Sequence, residues 1–141
     1  MRAHQRAHRP TERVEYALPK EPASAGRARK LASGFLAGSR RRKTEVDAER
    51  VDDAALIVSE LVSNALRHGE GGCRLRVVVS GGRVTVEVTD ASPERPRFQR
   101  HSMDNTDKES GRGLAMVRHL TRRLEVVGAH RGGKTVRAVL A

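Results

Sequence analysis

Aromatic residues and cysteine are scarce in this chain of 141 residues. There is no tryptophan, one tyrosine and two phenylalanines, so the core has to be aliphatic, and there are few flat side chains on which single-stranded nucleic acid could stack. Cys73 is the single cysteine, which excludes an internal disulfide. No apolar stretch opens the sequence and none reaches about 18 residues, so we expect neither a secretory signal nor a membrane span. These absences predict a cytoplasmic protein without membrane contact.

Acidic residues are missing from residues 23–44, although 17 occur elsewhere in the chain. Seven positive charges lie in that segment, where residues 40–43 read RRRK, and the formal net charge of the chain is +11. A basic patch of this kind can bind nucleic acid, an anionic surface or an acidic partner. Because a basic run between two helices is commonly a solvated loop, nucleic-acid binding is an alternative and not the favoured interpretation.

The sequence predicts one domain at residues 14–141, behind a disordered basic leader at residues 1–13. Apolar residues at helical spacing predict helices at residues 24–36, 52–69 and 114–124. Alternating runs predict strands at residues 14–18, 73–80, 83–90, 124–128 and 135–140. The long polar segment at residues 91–110 is typical of a lid. Strands in hairpins and separately grouped helices predict an α/β two-layer sandwich, in which helices cover one face of a mixed, mainly antiparallel sheet.

The helix at residues 52–69 is the element around which the chain is organised. Beside its apolar stripe, Glu60, Asn64 and His68 follow one another four residues apart, so their side chains stack in a line along the helix. A carboxylate and a carboxamide one turn apart can hold a hydroxyl or water beside a hard cation, because an amide oxygen suits Mg²⁺ and a carboxylate can accept a proton. The alternative is a solvated helix face.

Residues 128–135 read GAHRGGKT and match the phosphate-binding loop pattern G-x-x-x-x-G-K-T. Such a loop needs a helix behind it to receive the phosphates. Only six residues follow, and their alternating pattern favours a terminal strand. We therefore interpret the match as fortuitous, which predicts that Lys134 is dispensable for nucleotide binding.

Three other segments form a more specific combination. Residues 60–68 read ELVSNALRH on a helix, residues 90–93 read DASP after a strand, and residues 111–114 read GRGL before a helix. Their order, spacing and context resemble the N, G1 and G2 boxes of the GHKL (Bergerat-fold) ATPases. Within that superfamily, the chain resembles the small anti-sigma factor serine/threonine kinases of bacteria over residues 14–141. Each box alone would be weak support for the resemblance.

The resemblance implies roles for individual residues. Glu60 would be the catalytic residue that polarises the attacking hydroxyl or water, and Asn64 would contact the Mg²⁺ that bridges the phosphates of ATP. Asp90 would accept the amino group of adenine, which selects adenine over guanine. His68 would either orient a neighbour or simply finish the helix. The other implied nucleotide-binding residues are Ser92, Gly111, Arg112, Gly113, Leu114 and Thr135.

The G1 box departs from the family pattern D-x-G-x-G, because Ser92 stands in place of the first glycine and the second glycine is missing. With this departure, the resemblance implies an ATP- and Mg²⁺-binding regulator that phosphorylates an antagonist protein. Its partners would be a sigma factor, the anti-anti-sigma antagonist or both, and a homodimer is left open. Two alternatives remain: a non-catalytic ATP-binding or partner-binding module of the same fold, and a basic nucleic-acid-binding protein.

Overall fold

The computed structural model describes residues 11–38, 46–92, 108–128 and 132–140. Within them, the chain forms five strands and three helices in the order β-α-α-β-β-α-β-β that the sequence predicts. The strands are β1 (Thr11–Leu18), β2 (Cys73–Ser80), β3 (Arg83–Asp90), β4 (Thr121–Gly128) and β5 (Lys134–Leu140). The helices are α1 (Ser24–Gly38), α2 (Ala48–His68) and α3 (Lys108–Leu120). None of these helices is both long and apolar enough to cross a membrane.

The strands form one sheet in the order β1-β2-β3-β5-β4. Every pairing between the described strands is antiparallel, so the predicted mixed sheet has no parallel pair in this part of the chain. The hairpin of β2 and β3 has the predicted bounds, and its linking residues Gly81 and Gly82 have φ values of 59° and 80°. A type I′ turn needs positive φ at both linking positions, which glycine adopts without a steric penalty.

The helices cover one face of the sheet, and α2 provides most of the contact with it. Alternate residues of β2, β3 and β5 are buried on that face, as expected for strands with one face in the core. The predicted α/β two-layer sandwich is therefore confirmed. The apolar residues that α2 buries are Ala54, Ala55, Ile57, Val58, Leu61, Val62, Ala65 and Leu66.

Strand β1 and helix α2 begin earlier than predicted. The strand β1 starts at Thr11 and not at residue 14, so residues 11–13 belong to the sheet and not to a leader. They were missed because the side chains of Thr11 and Arg13 are polar and exposed. The helix α2 starts at Ala48 and not at residue 52, because the side chain of Asp47 caps it by accepting a hydrogen bond of 2.8 Å from the backbone N–H of Arg50.

The largest difference concerns α3, which begins at Lys108, six residues before the predicted start at Leu114. Gly111 and Gly113 therefore lie inside the helix and not before it. Glycine weakens a helix interior by only about 1 kcal/mol, which packing against α2 can offset. Helix α3 also ends at Leu120, and β4 begins at once at Thr121. The rest of the predicted lid, the basic run at residues 40–43 and most of the predicted leader lie outside the described residues.

The face of the sheet opposite the helices carries a row of alternating charges, which we call the charge ladder. It consists of Glu15, Arg76, Glu87, Arg137 and Glu125, one residue from each strand in the sheet order. Arg137 donates to Glu87 at 2.5 Å and to Glu125 at 3.2 Å. Arg76 lies 3.7 Å from both Glu15 and Glu87. Opposite charges at directly paired positions stabilise the pairing of two strands. The charge ladder therefore adds one attractive contact between each pair of neighbouring strands.

The charge ladder predicts unequal costs for removing its acids. Glu87 sits between two arginines with its side chain 16% exposed, whereas Glu15 lies at the edge with 44% exposed. Because a charged hydrogen bond is worth more when it is shielded from water, Glu87→Gln should lower the free energy of unfolding by about 1–2 kcal/mol. The matched control Glu15→Gln should lower it by less than about 0.5 kcal/mol. Urea denaturation measures both, and equal losses would contradict the proposed role of the ladder.

Candidate functional site

The polar line of α2 lies at the edge of the hydrophobic core. Asn64 is buried, with 7% of its surface exposed, because its neighbours Leu61 and Ala65 on the helix pack into the core. Glu60 is half-buried one turn earlier, and His68 is exposed in the last turn. The helix therefore holds a carboxylate and a carboxamide on one side of the core, and leaves His68 in solvent.

Helix α3 closes against this line through Gly113. A Cβ atom built at Gly113 would overlap the carboxylate of Glu60, so only glycine lets the two helices approach this closely without displacing that side chain. The next residue, Leu114, is buried in the core and anchors α3 there. Two of the three predicted boxes thus meet in the structure, with Glu60 on one side and the backbone of α3 on the other.

Burial makes the carboxyl group of Glu60 a weaker acid. The pKa of its carboxyl is raised by burial, and the nearby positive charge of Arg67 partly offsets that effect. A carboxylate with a raised pKa accepts a proton more readily near neutral pH. Arg67 was not among the predicted site residues, although its position seven residues after Glu60 puts it on nearly the same side of the helix.

Asp90 is the last residue of strand β3. It is also the first residue of the remaining predicted box, residues 90–93. Its carboxylate is buried and paired with Lys134, whose ammonium nitrogen lies 2.9 Å from Oδ1 and 3.0 Å from Oδ2. The backbone N–H of Ser92 also donates to Oδ1, at 2.7 Å. The negative charge of Asp90 adds to burial in raising the pKa of the neighbouring Cys73 thiol to about 11. The residue predicted to accept adenine is therefore already paired within the protein.

The structure separates Thr135 from Asp90. In β5, the residues at 134, 136, 138 and 140 face the helices, and Thr135 lies on the opposite face of the sheet. There its hydroxyl lies 2.7 Å from that of Thr89. The β5 residue on the same face as Asp90 is Lys134. The sequence predicted that Lys134 is dispensable for nucleotide binding. Its burial could have been inferred, because Val136, Ala138 and Leu140 alternate with polar residues and fix which face position 134 occupies.

The phosphate-loop interpretation of residues 128–135 is excluded by the same strand. Residues Lys134–Leu140 form β5 and not a helix, so no helix N-terminus follows the motif to bind phosphate. This outcome agrees with the prediction from sequence. The lysine of the motif, Lys134, has a different role, since its side chain is only 4% exposed and is held by Asp90.

The donor atoms in this part of the site are compatible with a hard cation such as Mg²⁺. The carboxylate of Glu60 occupies the space beside Gly113, and Asn64 offers an amide oxygen one turn away on the same helix. In the described part of the chain, no group of three or more His, Cys, Asp or Glu side chains could hold a metal. A magnesium ion here would take the amide oxygen of Asn64 as one ligand, together with phosphate oxygens.

A separate cavity of about 350 Å³ lies between α2 and residues 20–25. Ser63, Leu66 and Arg67 of α2 line it, together with Lys20, Glu21, Pro22 and Ala25. Lys20 also donates to the carbonyl oxygen of Gly69, just past the end of α2, at 2.5 Å. None of Glu60, Asn64, Asp90 or Gly113 lines this cavity, so it adjoins the predicted site without containing it.

Comparisons with known proteins place the chain in a family. Residues 18–140 match the family described as the histidine kinase-like ATPase domain. Because the match covers most of the chain, the protein belongs to that family, and an ATPase domain implies a site for ATP. No curated protein sequence matches the chain.

A solved structure shares the fold at 21% sequence identity, with a TM-score of 0.65. It is described as the crystal structure of the RsbU and RsbW domains of Rv1364c from Mycobacterium tuberculosis. The similarity covers 93% of this chain and 32% of that one, so this chain spans about a third of that protein. The likeness supports the architecture described above.

The contact between Gly113 and Glu60 predicts an unusual response to alanine. In Gly113→Ala, the new methyl group should push the flexible Glu60 side chain toward solvent, while helix propensity offsets any strain by up to about 1 kcal/mol. Stability should therefore hold, but the pKa of Glu60 should fall back toward its ordinary value. A carboxyl NMR titration measures that pKa. The control Gly34→Ala, on α1 with open space around it, should leave Glu60 unchanged, and an unchanged pKa in both variants would contradict the contact.

The raised pKa of Glu60 also predicts a pH-dependent stability difference. Above its folded-state pKa, the buried carboxylate is ionised and disfavours folding, whereas below the ordinary value of 4.5 the side chain is neutral in both states. Glu60→Gln should therefore melt at a higher temperature than the wild type at neutral pH, and the difference should shrink as the pH falls. Thermal melts from about pH 4 to 8 measure this, with the exposed Glu70→Gln as the control. A pH-independent difference would be inconsistent with burial as its cause.

Proposed function

We propose that this chain is an ATP- and Mg²⁺-dependent serine/threonine kinase of the anti-sigma factor type, acting in the cytoplasm on an antagonist protein. The observation that carries the proposal is the packing of Gly113 against Glu60, with Asn64 one turn away, in a member of the histidine kinase-like ATPase family. This arrangement puts a carboxylate and a carboxamide on one helix, where they would serve as proton acceptor and cation ligand.

When bound, ATP would supply the transferred phosphoryl group, and Mg²⁺ would neutralise charge on its phosphates. Asn64 would hold the metal through its amide oxygen. Glu60 would orient the substrate hydroxyl and take its proton, a role that its raised pKa suits. In phosphoryl transfer the protein mainly positions groups and stabilises charge, so few catalytic side chains are needed. Gly113 would contribute because it has no side chain that would displace the Glu60 carboxylate.

The proposed protein partners are a sigma factor and the antagonist that is phosphorylated. A net charge of +11 favours association with acidic surfaces on either of them. The solved structure of similar fold contains a domain called RsbW beside one called RsbU. By analogy with that RsbW domain, we propose a regulatory role for this chain. A homodimer is compatible with the proposal and is not required by it.

A non-catalytic module of the same fold is the second candidate. The observation that favours it is the pairing of both oxygens of Asp90 with Lys134, because a base acceptor that is already occupied weakens nucleotide binding. Such a module would bind its protein partner without phosphate transfer. The basic run that would support nucleic-acid binding lies outside the described residues.

Substitutions at Glu60 and Asn64 separate the two candidates. If Glu60 acts on the hydroxyl, its loss should remove transition-state stabilisation and spare ground-state binding. Glu60→Ala should therefore still bind ATP but lose phosphate transfer by about 100-fold or more. Asn64→Ala should lose both Mg²⁺-dependent binding and transfer. Calorimetry and transfer of labelled γ-phosphate to the co-purified antagonist measure the two properties.

Glu49→Ala is the matched control, because Glu49 lies in the exposed first turn of the same helix. It should change neither binding nor transfer. A wild-type protein that binds ATP but never phosphorylates a partner would remove the kinase and leave the non-catalytic module. A Glu60→Ala variant with full transfer would remove Glu60 from the mechanism.

A further inference from the structure

The pairing of Asp90 with Lys134 lies within the candidate site, and the reaction proposed above makes no use of Lys134. The side chains of these two residues are 2% and 4% exposed. The ammonium group of Lys134 also donates to the backbone carbonyl of Ser92, at 3.2 Å. Three acceptor atoms thus surround one ammonium group, which makes it a fixed part of the site and not a mobile surface lysine.

The acceptor capacity of Asp90 is largely used by these contacts. Each carboxylate oxygen can accept about two hydrogen bonds. Oδ1 already accepts from Lys134 and from the backbone N–H of Ser92, and Oδ2 accepts from Lys134. An amino group arriving from a nucleobase would have to use what remains on Oδ2 or displace the ammonium.

The sheet holds Lys134 in this position. Asp90 and Lys134 are direct partners in the pairing of β3 with β5. The preceding Gly133 comes so close to the backbone of Asp90 and Ala91 that a Cβ there would overlap them. The ammonium group is therefore held against the carboxylate by strand register and close backbone contact.

A comparison of bond strengths indicates which donor prevails. The amino group of a nucleobase is neutral, whereas the ammonium of Lys134 adds the attraction between opposite charges to its hydrogen bonds with the carboxylate. A neutral base amino group therefore competes poorly for the same oxygens. We propose that Lys134 is an internal competitor for the base-recognition carboxylate Asp90, so that it sets a low nucleotide affinity and relieving its charge raises that affinity. This inference rests on the proposed nucleotide-binding function.

Neutral substitutions at Lys134 test the competition. Lys134→Gln keeps the length of the side chain and a neutral donor, and should tighten binding of Mg·ATP and of ADP by about tenfold. Lys134→Met removes the donor altogether and should tighten binding further. Titration calorimetry measures both, and circular dichroism confirms the fold. The control Lys30→Gln removes the same charge from an exposed position on α1 and should bind as the wild type does.

The outcomes distinguish the competition from the function on which it rests. A wild type that binds ATP, with an equal or weaker Lys134→Gln variant, would refute the competition and leave the nucleotide site standing. Tighter binding in the variants supports the competition, even where the wild type binds too weakly to measure. If the wild type and both variants bind no nucleotide, the proposed function fails and the competition fails with it.

A measurement on the wild type covers the case in which the variants do not fold. In the free protein, the buried ammonium of Lys134 should give a slowly exchanging NMR signal, because it is shielded from water and held by Asp90. Saturation with Mg·ADP should shift this signal or abolish it as the base takes over the carboxylate. A signal that stays unchanged in the saturated protein would overturn the proposal.

Discussion

The burial of one face of α2 against the sheet is the interaction on which the rest of the structure depends. Ile57, Val58 and Val62 are completely buried in this contact, and each such side chain stabilises the fold by roughly 1.5–3 kcal/mol. Turning the helix would expose them, so its orientation is fixed. Because Glu60 and Asn64 lie beside this stripe, the same packing energy that forms the core also holds the polar line in place.

The register of the sheet is the second constraint, and it determines what surrounds Asp90. A shift by one residue would move every side chain of a strand to the other face. In the observed register, the charge ladder faces away from the helices and Lys134 faces toward them. The alternative register of β5 would bury Thr135 and Arg137 in the aliphatic core and break the ladder. The ion pair at Asp90 is therefore a consequence of the pattern that stabilises the whole sheet.

The sequence was sufficient for what local pattern determines, such as the hairpin at Gly81 and the amphipathic face of α2. It also gave the order of elements and, by resemblance, the family. It failed where packing overrides local preference: α3 continues through two glycines because it packs against Glu60. It also missed the partner of Asp90, since no local rule predicts that a lysine 44 residues away will be paired with it. Lys134 matches a phosphate-loop pattern, but the alternation of β5 puts it on the buried face.

We infer that nucleotide binds beside Glu60 and Asn64 of α2, Gly113 of α3 and the end of β3 at Asp90. Amide NMR spectra of the wild-type protein during titration with ATP and Mg²⁺ test it most directly. The shifts should concentrate around Glu60, Asn64, Gly113 and residues 90–92, and should be weaker with GTP or without Mg²⁺. Shifts confined to the charge ladder side of the sheet, or equal shifts with GTP, would contradict it.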